Sequence, residues 1–493
     1  FYFWLAVFLM TGLILNTYMN FKLGYSQAMD KFPDTGLHEV RERDYFFIVS
    51  FAFFGLWSGL GLAALLDRLR TAFAVDTDDP KLQKPVFFLL AAALLLPGLV
   101  PLVINYKLVD RSGSYIPANY ARNVMNSLEP GGIIFTNGDN DTFPLWYIQE
   151  VEGVRKDCRV VNLSLLNTQW YIRQMRDMEP RVPISLSDEA IDKMQPFFLK
   201  RDQKFEFGEV ELLFEDSTVI YVKDLLILDI LRTNNWRKPL YFTTTTPTHN
   251  RCNLDPYLVQ QGAVYKINPR RADSLATEDS LNLVKISNSG IHFDIASTTR
   301  LLNEVYSYDT FFRQNDNRDE TDRRLVQHFA FPYSVLGQIY LKEGKIPEAI
   351  EANYMARRFM ERRHQFDLIM ASLYARNRQY EQAYAFMDSL VRFAGEQSPH
   401  LFMQMAQTAL DKGDKEASNK FMDMCIDFFP HYKDAYANLF MVYEADGDTG
   451  AAVAVVEKYL ELFPNDNLVA GELTRYRETG EFDLQKAFQI PKP

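Results

Sequence analysis

Apolar residues are concentrated in three stretches near the start of the chain. Residues 1–17 are almost continuously apolar, and residues 45–66 form a 22-residue stretch without a charge. The third stretch, residues 85–105, contains two prolines that are expected to kink it. About 20 apolar residues cross the hydrocarbon core of a bilayer, so all three are predicted to be membrane helices. The alternative for each stretch is a buried helix of a soluble protein.

Glycine and charge add detail to this membrane region. The second stretch carries Gly55, Gly59 and Gly61, which suit close packing against another membrane helix. Basic residues after the second stretch and before the third predict that this loop is cytoplasmic, with the remainder of the chain after residue 105 on the opposite side. No Met or basic segment precedes the first stretch, so the chain is expected to begin inside a membrane helix, with further sequence upstream.

Strand and helix patterns alternate between residues 120 and 267. Short β-rich runs occur at residues 133–136, 159–165, 240–244 and 263–267. Helical patterns occur around them, at residues 120–128, 145–151, 170–175, 221–232 and 256–261. Such alternation predicts an α/β domain with a mostly parallel sheet covered by helices. A charged connection follows, within which residues 301–312 are predicted to be helical.

Three of the predicted strands end in polar residues, at 137–142, 167–168 and 243–246. Ligands of parallel sheets bind outside the carboxyl ends of the strands. Helix N-termini follow the first two strand ends, and their free N–H groups can bind an anion. The sequence therefore predicts that Asp139, Asp141, Asn167 and Thr168 line one crevice.

The turn Asp139-Asn140-Asp141 has two interpretations. Two carboxylates separated by one residue can share a divalent cation or bind sugar hydroxyls. In the simpler interpretation they form an Asx-turn, and Asp141 or Thr142 caps the following helix. A divalent cation is therefore only a candidate ligand. The nearby aromatic residues either stack on a sugar ring or belong to the core: Phe143, Trp146, Tyr147, Trp170 and Tyr171.

The last third of the chain repeats with a period of 34 residues. Residues spaced by 34 include Ala349, Ala383, Ala417 and Ala451. This period, with a small Ala where two helices touch and a Gly in the turn, predicts TPR-type helix pairs. They are placed at residues 332–365, 366–399, 400–433 and 434–467, with one capping helix at 468–488. Such an array binds a protein or peptide partner, or serves as a structural lid.

Charge and cysteine content exclude several classes of function. The formal net charge is -11, whereas a nucleic-acid-binding protein needs a basic surface. The three cysteines form no CxxC pattern, so a zinc site or a disulfide framework is not expected. A single Cys158–Cys252 bridge stays open at this stage. No two histidines are spaced for metal binding on one helix.

Residues 136–172, TNGDNDTFPLWYIQEVEGVRKDCRVVNLSLLNTQWYI, resemble a family of bacterial membrane proteins found mainly in Bacteroidota. The family is regarded as protein O-mannosyltransferase-like. Residues 41–47 and 254–269 support the resemblance, which extends over nearly the whole chain. It implies a GT-C-like enzyme that takes a sugar from a polyprenyl-phosphate donor, in a multi-pass bacterial inner-membrane protein with periplasmic soluble domains.

The resemblance also guides the choice of site residues. GT-C enzymes carry their catalytic carboxylate in the first external loop, which this sequence does not contain, so no catalytic residue is predicted. Oligosaccharyltransferases hold their acceptor with a turn just after the last membrane span, and by analogy the turn here is predicted to bind an acceptor. The predicted substrate-binding residues in this region are Asn137, Asp139, Asn140, Asp141, Trp146 and Asn167.

A second candidate site lies in the loop at residues 38–44. Arg41 and Arg43 are expected near the membrane surface, where they can bind the phosphate of a membrane lipid or lipid-linked sugar. Interfacial ion pairs are the alternative.

The sequence thus predicts four regions, at residues 1–105 (transmembrane), 106–271 (α/β), 272–331 (connection) and 332–488 (TPR-like). Two functions fit them: the C-terminal part of a glycosyltransferase, or a non-catalytic membrane-anchored envelope scaffold.

Overall fold

A computed structural model describes most of the chain. The described residues are 2–19, 22, 37, 44–72, 88, 92, 99–100, 102–107, 110–277, 282–286, 290–312, 320–360, 364–394 and 399–489. They divide into two compact units. The first unit combines Phe1–Asn119 with Tyr308–Leu325, and the second combines Tyr120–Ser307 with Val326–Pro493.

Among the described residues of the first unit, two helices are long and apolar enough to cross a membrane, judged by length and composition. Helix α1 covers Tyr2–Met19 and contains a π-helical turn at Met10–Ile14. The second apolar segment, Tyr45–Leu65, lies mostly in α2, Ile48–Ala72. Most of the third predicted span, residues 85–105, lies outside the described residues.

The two apolar helices pack against each other. Trp4 and Phe53 are in contact, with ring centroids 5.0 Å apart. A Cβ atom on Gly12 would lie 2.7 Å from the Ser50 hydroxyl, so the two helices approach closely at this glycine. Close packing was predicted at Gly55, Gly59 and Gly61, where a Cβ atom would meet no atom of another described segment within 4 Å.

The first half of the second unit is an α/β domain. It opens with α3, Ile116–Asn126, which begins in the first unit. In chain order the elements that follow are β1 (Ile133–Thr136), α4 (Asp139–Glu150), β2 (Arg159–Asn162), α5 (Gln169–Asp177), α6 (Asp188–Lys193), β3 (Phe197–Phe198), β4 (Gln203–Phe207), β5 (Val210–Phe214), β6 (Val219–Ile220), α7 (Val222–Asn234), β7 (Leu240–Thr243), β8 (Leu258–Gln261), β9 (Val264–Ile267), α8 (Ala272–Leu275), β10 (Leu283–Lys285), β11 (His292–Asp294) and α9 (Ile295–Arg300).

The main sheet is mixed rather than mostly parallel. Its strand order is β10-β11-β8-β9-β7-β1-β2, and β7, β1 and β2 are parallel neighbours. The β8–β11 pair is also parallel, whereas β7–β9, β8–β9 and β10–β11 are antiparallel. The predicted parallel arrangement therefore holds for the strands that carry the polar ends, while tight hairpins beyond β7 reverse the chain direction.

Two predicted helices differ from the structure. Residues 256–261 form a 3-10 turn, Asp255–Tyr257, followed by strand β8, because this segment pairs with β9 around a tight turn at Gly262. The helix predicted at 301–312 is a π-helical turn, Leu301–Val305, that continues α9 and stops there. Strands β1 and β9 and helix α7 lie close to their predicted positions.

The remainder of the second unit is all-helical. Helix α10, Glu320–Gln327, starts in the first unit and leads into antiparallel pairs that repeat every 34 or 35 residues. The helices are α11 (Ala330–Lys342), α12 (Ile346–Phe359), α13 (His364–Arg376), α14 (Tyr380–Ala394), α15 (Pro399–Asp411), α16 (Lys415–Phe428), α17 (Lys433–Ala445), α18 (Thr449–Leu462), α19 (Asn467–Thr479) and α20 (Leu484–Phe488).

Packing between paired helices explains the period. Ala349, Ala383 and Ala417 are buried where two helices touch. The single capping helix predicted at the end is instead two helices, α19 and α20. They are separated because Gly480 adopts a left-handed conformation with φ +75° and ends α19.

The cysteines are free thiols, so the Cys158–Cys252 bridge is absent. All three side chains are buried. Burial raises the pKa of Cys158 to about 11 and that of Cys425 to about 12, and it also raises the pKa of Cys252. The reactive thiolate is therefore scarce at neutral pH.

We expect the folded protein to resist maleimide at neutral pH, and to add three labels after denaturation. Intact-mass measurement before and after denaturation tests this expectation. Rapid labelling of the folded chain at any cysteine would contradict the buried placement.

Candidate functional site

The carboxyl ends of β7, β1 and β2 lie side by side because these strands are parallel neighbours. Strand β1 leads through Asn137 and Gly138 into α4. Strand β2 leads into a 3-10 turn at Leu165–Asn167, and β7 leads into a run of threonines at residues 243–246. The structure thereby brings the polar ends of β1 and β7 into direct contact.

Asp141 is at the centre of this contact. Its buried carboxylate accepts hydrogen bonds from the backbone N–H groups of Asn137 and Gly138, each at 2.9 Å. It also accepts bonds from the hydroxyls of Thr245 at 2.7 Å and Thr243 at 3.2 Å. A carboxylate has about four acceptor positions, so the protein itself uses those of Asp141.

Asp141 stabilises the start of α4 in a different way from the one predicted. The helix begins at Asp139, Gly138 is the N-cap residue, and Asp141 occupies the third helical position. From there it reaches back to the Gly138 N–H, as the third residue of a capping box does. Neither Asp141 nor Thr142 is therefore the cap residue.

A buried tyrosine lies close to this carboxylate. Burial raises the pKa of Tyr120, and the negative charge of Asp141 raises it further. The phenol therefore stays protonated at physiological pH. Tyr120 is thus a buried, neutral neighbour of the Asp141 carboxylate.

A second buried network holds β2 against α4, and sequence reasoning missed it. The Asn162 side-chain amide donates to the Thr142 hydroxyl at 2.8 Å and accepts from the Leu165 N–H at 2.8 Å. The Thr142 hydroxyl also bonds that of Thr136 at 2.7 Å. An asparagine at the end of an apolar strand was the available signal.

Asn137 is half-buried, and its polar groups are also used internally. Its side-chain oxygen accepts from the Asn250 amide at 2.6 Å, and its backbone oxygen accepts from the Ser164 hydroxyl at 2.8 Å. Asn137 therefore ties together the loops after β1, β2 and β7. This role fixes the shape of the turn before α4.

Asn167 is exposed, and its side chain bonds backbone groups of α7 and of the segment after β2 rather than the Asp141 network. Its side-chain oxygen accepts from the Lys223 N–H at 3.1 Å, at the start of α7, and its amide donates to Leu163 O at 3.1 Å. These bonds lead away from Asp141. The Lys223 ammonium is buried and bonds the Asp224 carboxylate at 2.6 Å, an ion pair that the sequence did not indicate.

The two carboxylates of the Asp139-Asn140-Asp141 turn do not converge. Asp139 and Asn140 are exposed on the first turn of α4, whereas Asp141 is turned into the protein. Within the described ranges, no group of three or more His, Cys, Asp or Glu side chains is placed to hold a metal ion. Asp139 and Asn140 are thus the exposed polar side chains of this turn.

Aromatic side chains are also exposed on α4 and α5. Phe143, Tyr147 and Trp170 are each about half exposed. Half-buried Trp146 stacks on Phe143 with ring centroids 5.6 Å apart and touches the buried ring of Tyr171 at 6.5 Å. We call Phe143, Trp146, Tyr147 and Trp170 the aromatic surface. The core interpretation is right for Tyr171.

The second predicted site, at Arg41 and Arg43, lies outside the described residues.

The α/β domain is similar to a domain of known proteins. Residues 117–200 and 179–285 match the model of TMEM260-associated domain 2. The protein O-mannosyl-transferase TMEM260 of Mus musculus is 28% identical over 137 residues, which are 28% of this chain and 18% of the mouse protein. The corresponding protein of Dictyostelium discoideum is 26% identical over 133 residues, 26% of this chain and 16% of that protein. The matched part spans less than a fifth of either relative.

Two similar solved structures each align with about a third of this chain. The MamA protein is 19% identical, with a TM-score of 0.21, and the alignment covers 31% of this chain and 82% of MamA. YrrB, described as a TPR protein with an unusual peptide-binding site, is 15% identical with a TM-score of 0.21, covering 31% of this chain and 81% of YrrB.

Proposed function

We propose that this chain is part of a membrane glycosyltransferase that transfers a sugar from a polyprenyl-phosphate donor to a protein or glycan acceptor. The observation that carries the proposal is the family-model match over residues 117–285, which falls on the α/β domain. The curated relatives are protein O-mannosyl-transferases. The two apolar helices support attachment to a membrane. A GT-C-like mechanism, an inner-membrane location and a periplasmic α/β domain are parts of this proposal.

The α/β domain binds the acceptor on the outer face of α4. The exposed Asp139 carboxylate and Asn140 amide can hydrogen-bond hydroxyl or peptide groups of the acceptor. The adjacent aromatic surface supplies flat apolar faces for a sugar ring or an acceptor side chain. The buried bonds of Asp141, Asn137 and Asn162 hold the turn in one conformation, so binding does not need to order it.

The other regions have supporting roles in this proposal. The helix pairs between residues 330 and 488 dock a protein or peptide partner. Arg41 and Arg43 bind the phosphate of the lipid-linked sugar. The division of the chain into four regions, with boundaries at residues 105, 271 and 331, stays a prediction.

We expect the double substitution Tyr147→Ala and Trp170→Ala to lower glycan transfer by about tenfold, because two stacking contacts of roughly 0.5–1.5 kcal/mol are lost. The measurement is the amount of modified glycopeptide, by mass spectrometry, in cells whose own gene is deleted and replaced. Phe198→Ala is the matched control, since it removes an aromatic ring that is 69% exposed on β3.

Two outcomes separate the parts of the proposal. Equal transfer by the double variant and the control would remove the aromatic surface from acceptor binding while leaving the transferase intact. An unchanged glycoproteome after complete gene deletion would contradict the transferase itself. That second result favours the alternative, a non-catalytic scaffold whose helix pairs bind a partner.

A further inference from the structure

An open cavity of about 270 Å³ lies on the α/β domain, between α7 and the β4–β5 hairpin. Its walls are apolar: Leu186, Met194, Phe205, Phe207, Leu225 and Leu228. Phe205 and Phe207 lie on the inner face of β4, and the two leucines on α7 are three residues apart and so share a helix face. An apolar concavity with few polar groups is the usual form of a small-molecule site.

Two charged residues complete the lining, and the protein satisfies one of them. The Asp229 side chain is 5% exposed. It accepts the Ser185 N–H at 2.8 Å, the Ser185 hydroxyl at 2.6 Å and Arg232 Nη2 at 2.7 Å. Asp229 is therefore a support that orients Arg232, because three donors already occupy its oxygens.

Arg232 is the charged group of the lining with donors to spare. Its side chain is 65% exposed at the rim. Its Nη2 bonds Asp229 and the Ser185 hydroxyl, whereas Nε and Nη1 bond no acceptor in the described part of the chain. With Nη2 bonded to Asp229 and Ser185, the guanidinium can still donate from Nε–H or Nη1–H to one carboxylate oxygen, in a charge-assisted hydrogen bond.

We propose that this cavity binds a small amphipathic carboxylate, whose apolar body fills the cavity and whose carboxylate pairs with Arg232. The volume lies just below the roughly 300 Å³ at which typical ligand pockets begin, which limits the body to about one aromatic ring with a short chain. The proposal is independent of glycan transfer, and the cavity is distinct from the aromatic surface on α4 and α5.

The test is calorimetric titration of the full chain in lipid nanodiscs with 4-phenylbutyrate, after subtraction of empty nanodiscs. We expect sub-millimolar binding. The uncharged 4-phenylbutan-1-ol has the same apolar body, and we expect it to bind about tenfold more weakly, because the charge-assisted bond is missing.

Three variants make the result specific. Arg232→Gln is expected to reduce 4-phenylbutyrate binding about tenfold, to the level of the alcohol. Leu225→Trp fills the cavity from a partly exposed position and is expected to abolish binding of both probes. Arg237→Gln, at an exposed arginine on the following turn, is expected to change neither.

Undetectable binding of 4-phenylbutyrate to the unmodified chain would overturn the proposal. So would equal binding by the unmodified chain and Arg232→Gln, or by the unmodified chain and Leu225→Trp.

Discussion

Asp141→Ala is expected to lower the free energy of unfolding of the α/β domain by about 3 kcal/mol or more. The substitution leaves the N–H groups of Asn137 and Gly138 and the hydroxyls of Thr243 and Thr245 without their shared acceptor. Each buried donor left unsatisfied costs roughly 1–3 kcal/mol, and the threonines can partly offset this by bonding each other. For a domain of this size the thermal midpoint falls by about 6–12 °C.

Asp139→Ala is the matched control, since it removes a carboxylate from the same turn at an exposed position. Its expected effect is within about 0.5 kcal/mol, as for other surface substitutions. Thermal unfolding of the full chain in detergent, followed by tryptophan fluorescence, measures both variants. Equal midpoints for the two would mean that Asp141 does not hold the turn. For glycan transfer we expect the reverse order once folded protein is matched, because Asp139 faces the acceptor in our proposal.

The contrast between these two aspartates shows what the sequence could predict here. Strand β1 and the polar residues after it followed from a short β-rich run and a dense set of turn formers. Which carboxylate faces inward depends on where the helix starts. A start at Asp139 rather than after Asp141 puts Asp141 on the buried side, and turn residues alone do not place that boundary to within two positions.

Long-range partners account for the other differences. Residues 258–261 read as part of a helix, yet they form a strand because β9 is available to pair with them. Lys223 and Asp224 are both buried at the start of α7, where they form an ion pair that the sequence pattern did not indicate. Asn162 gave little signal because its partners, Thr142 and Leu165, belong to other segments.

The helical region was predicted more completely, and the reason is physical. Each helix pair contacts mainly its neighbours, so a local 34-residue pattern contains nearly all the information about its packing. The exception is the second pair. Its turn has Arg378 in a left-handed conformation, φ +59°, where the following two turns have Gly413 and Gly447. A pattern that requires Gly in the turn therefore does not match the second repeat, which its buried alanine still identifies.

Gly262→Ala is expected to destabilise the second unit by about 3 kcal/mol or more. Gly262 has φ +56°, and a Cβ atom there would overlap the Tyr306 hydroxyl. That hydroxyl bonds the Ala263 N–H at 3.0 Å and the Ser127 hydroxyl at 2.5 Å, and the ring packs edge-on against Phe329. Displacing Tyr306 would therefore loosen the β8–β9 hairpin, the end of α3 and the start of the helical region together.

Gly208→Ala separates this steric effect from backbone strain. Gly208 also has a positive φ, +66°, in the β4–β5 hairpin, but a Cβ atom there would meet nothing within 4 Å. Strain alone costs about 1–2 kcal/mol, so Gly208→Ala should lower the thermal midpoint by less than Gly262→Ala. Adding Tyr306→Phe to Gly262→Ala should cost less than the sum of the two single substitutions, because both act on the same hydroxyl. Additive effects, or equal effects of the two glycine substitutions, would contradict the role of Tyr306 as the link between the sheet and the helical region.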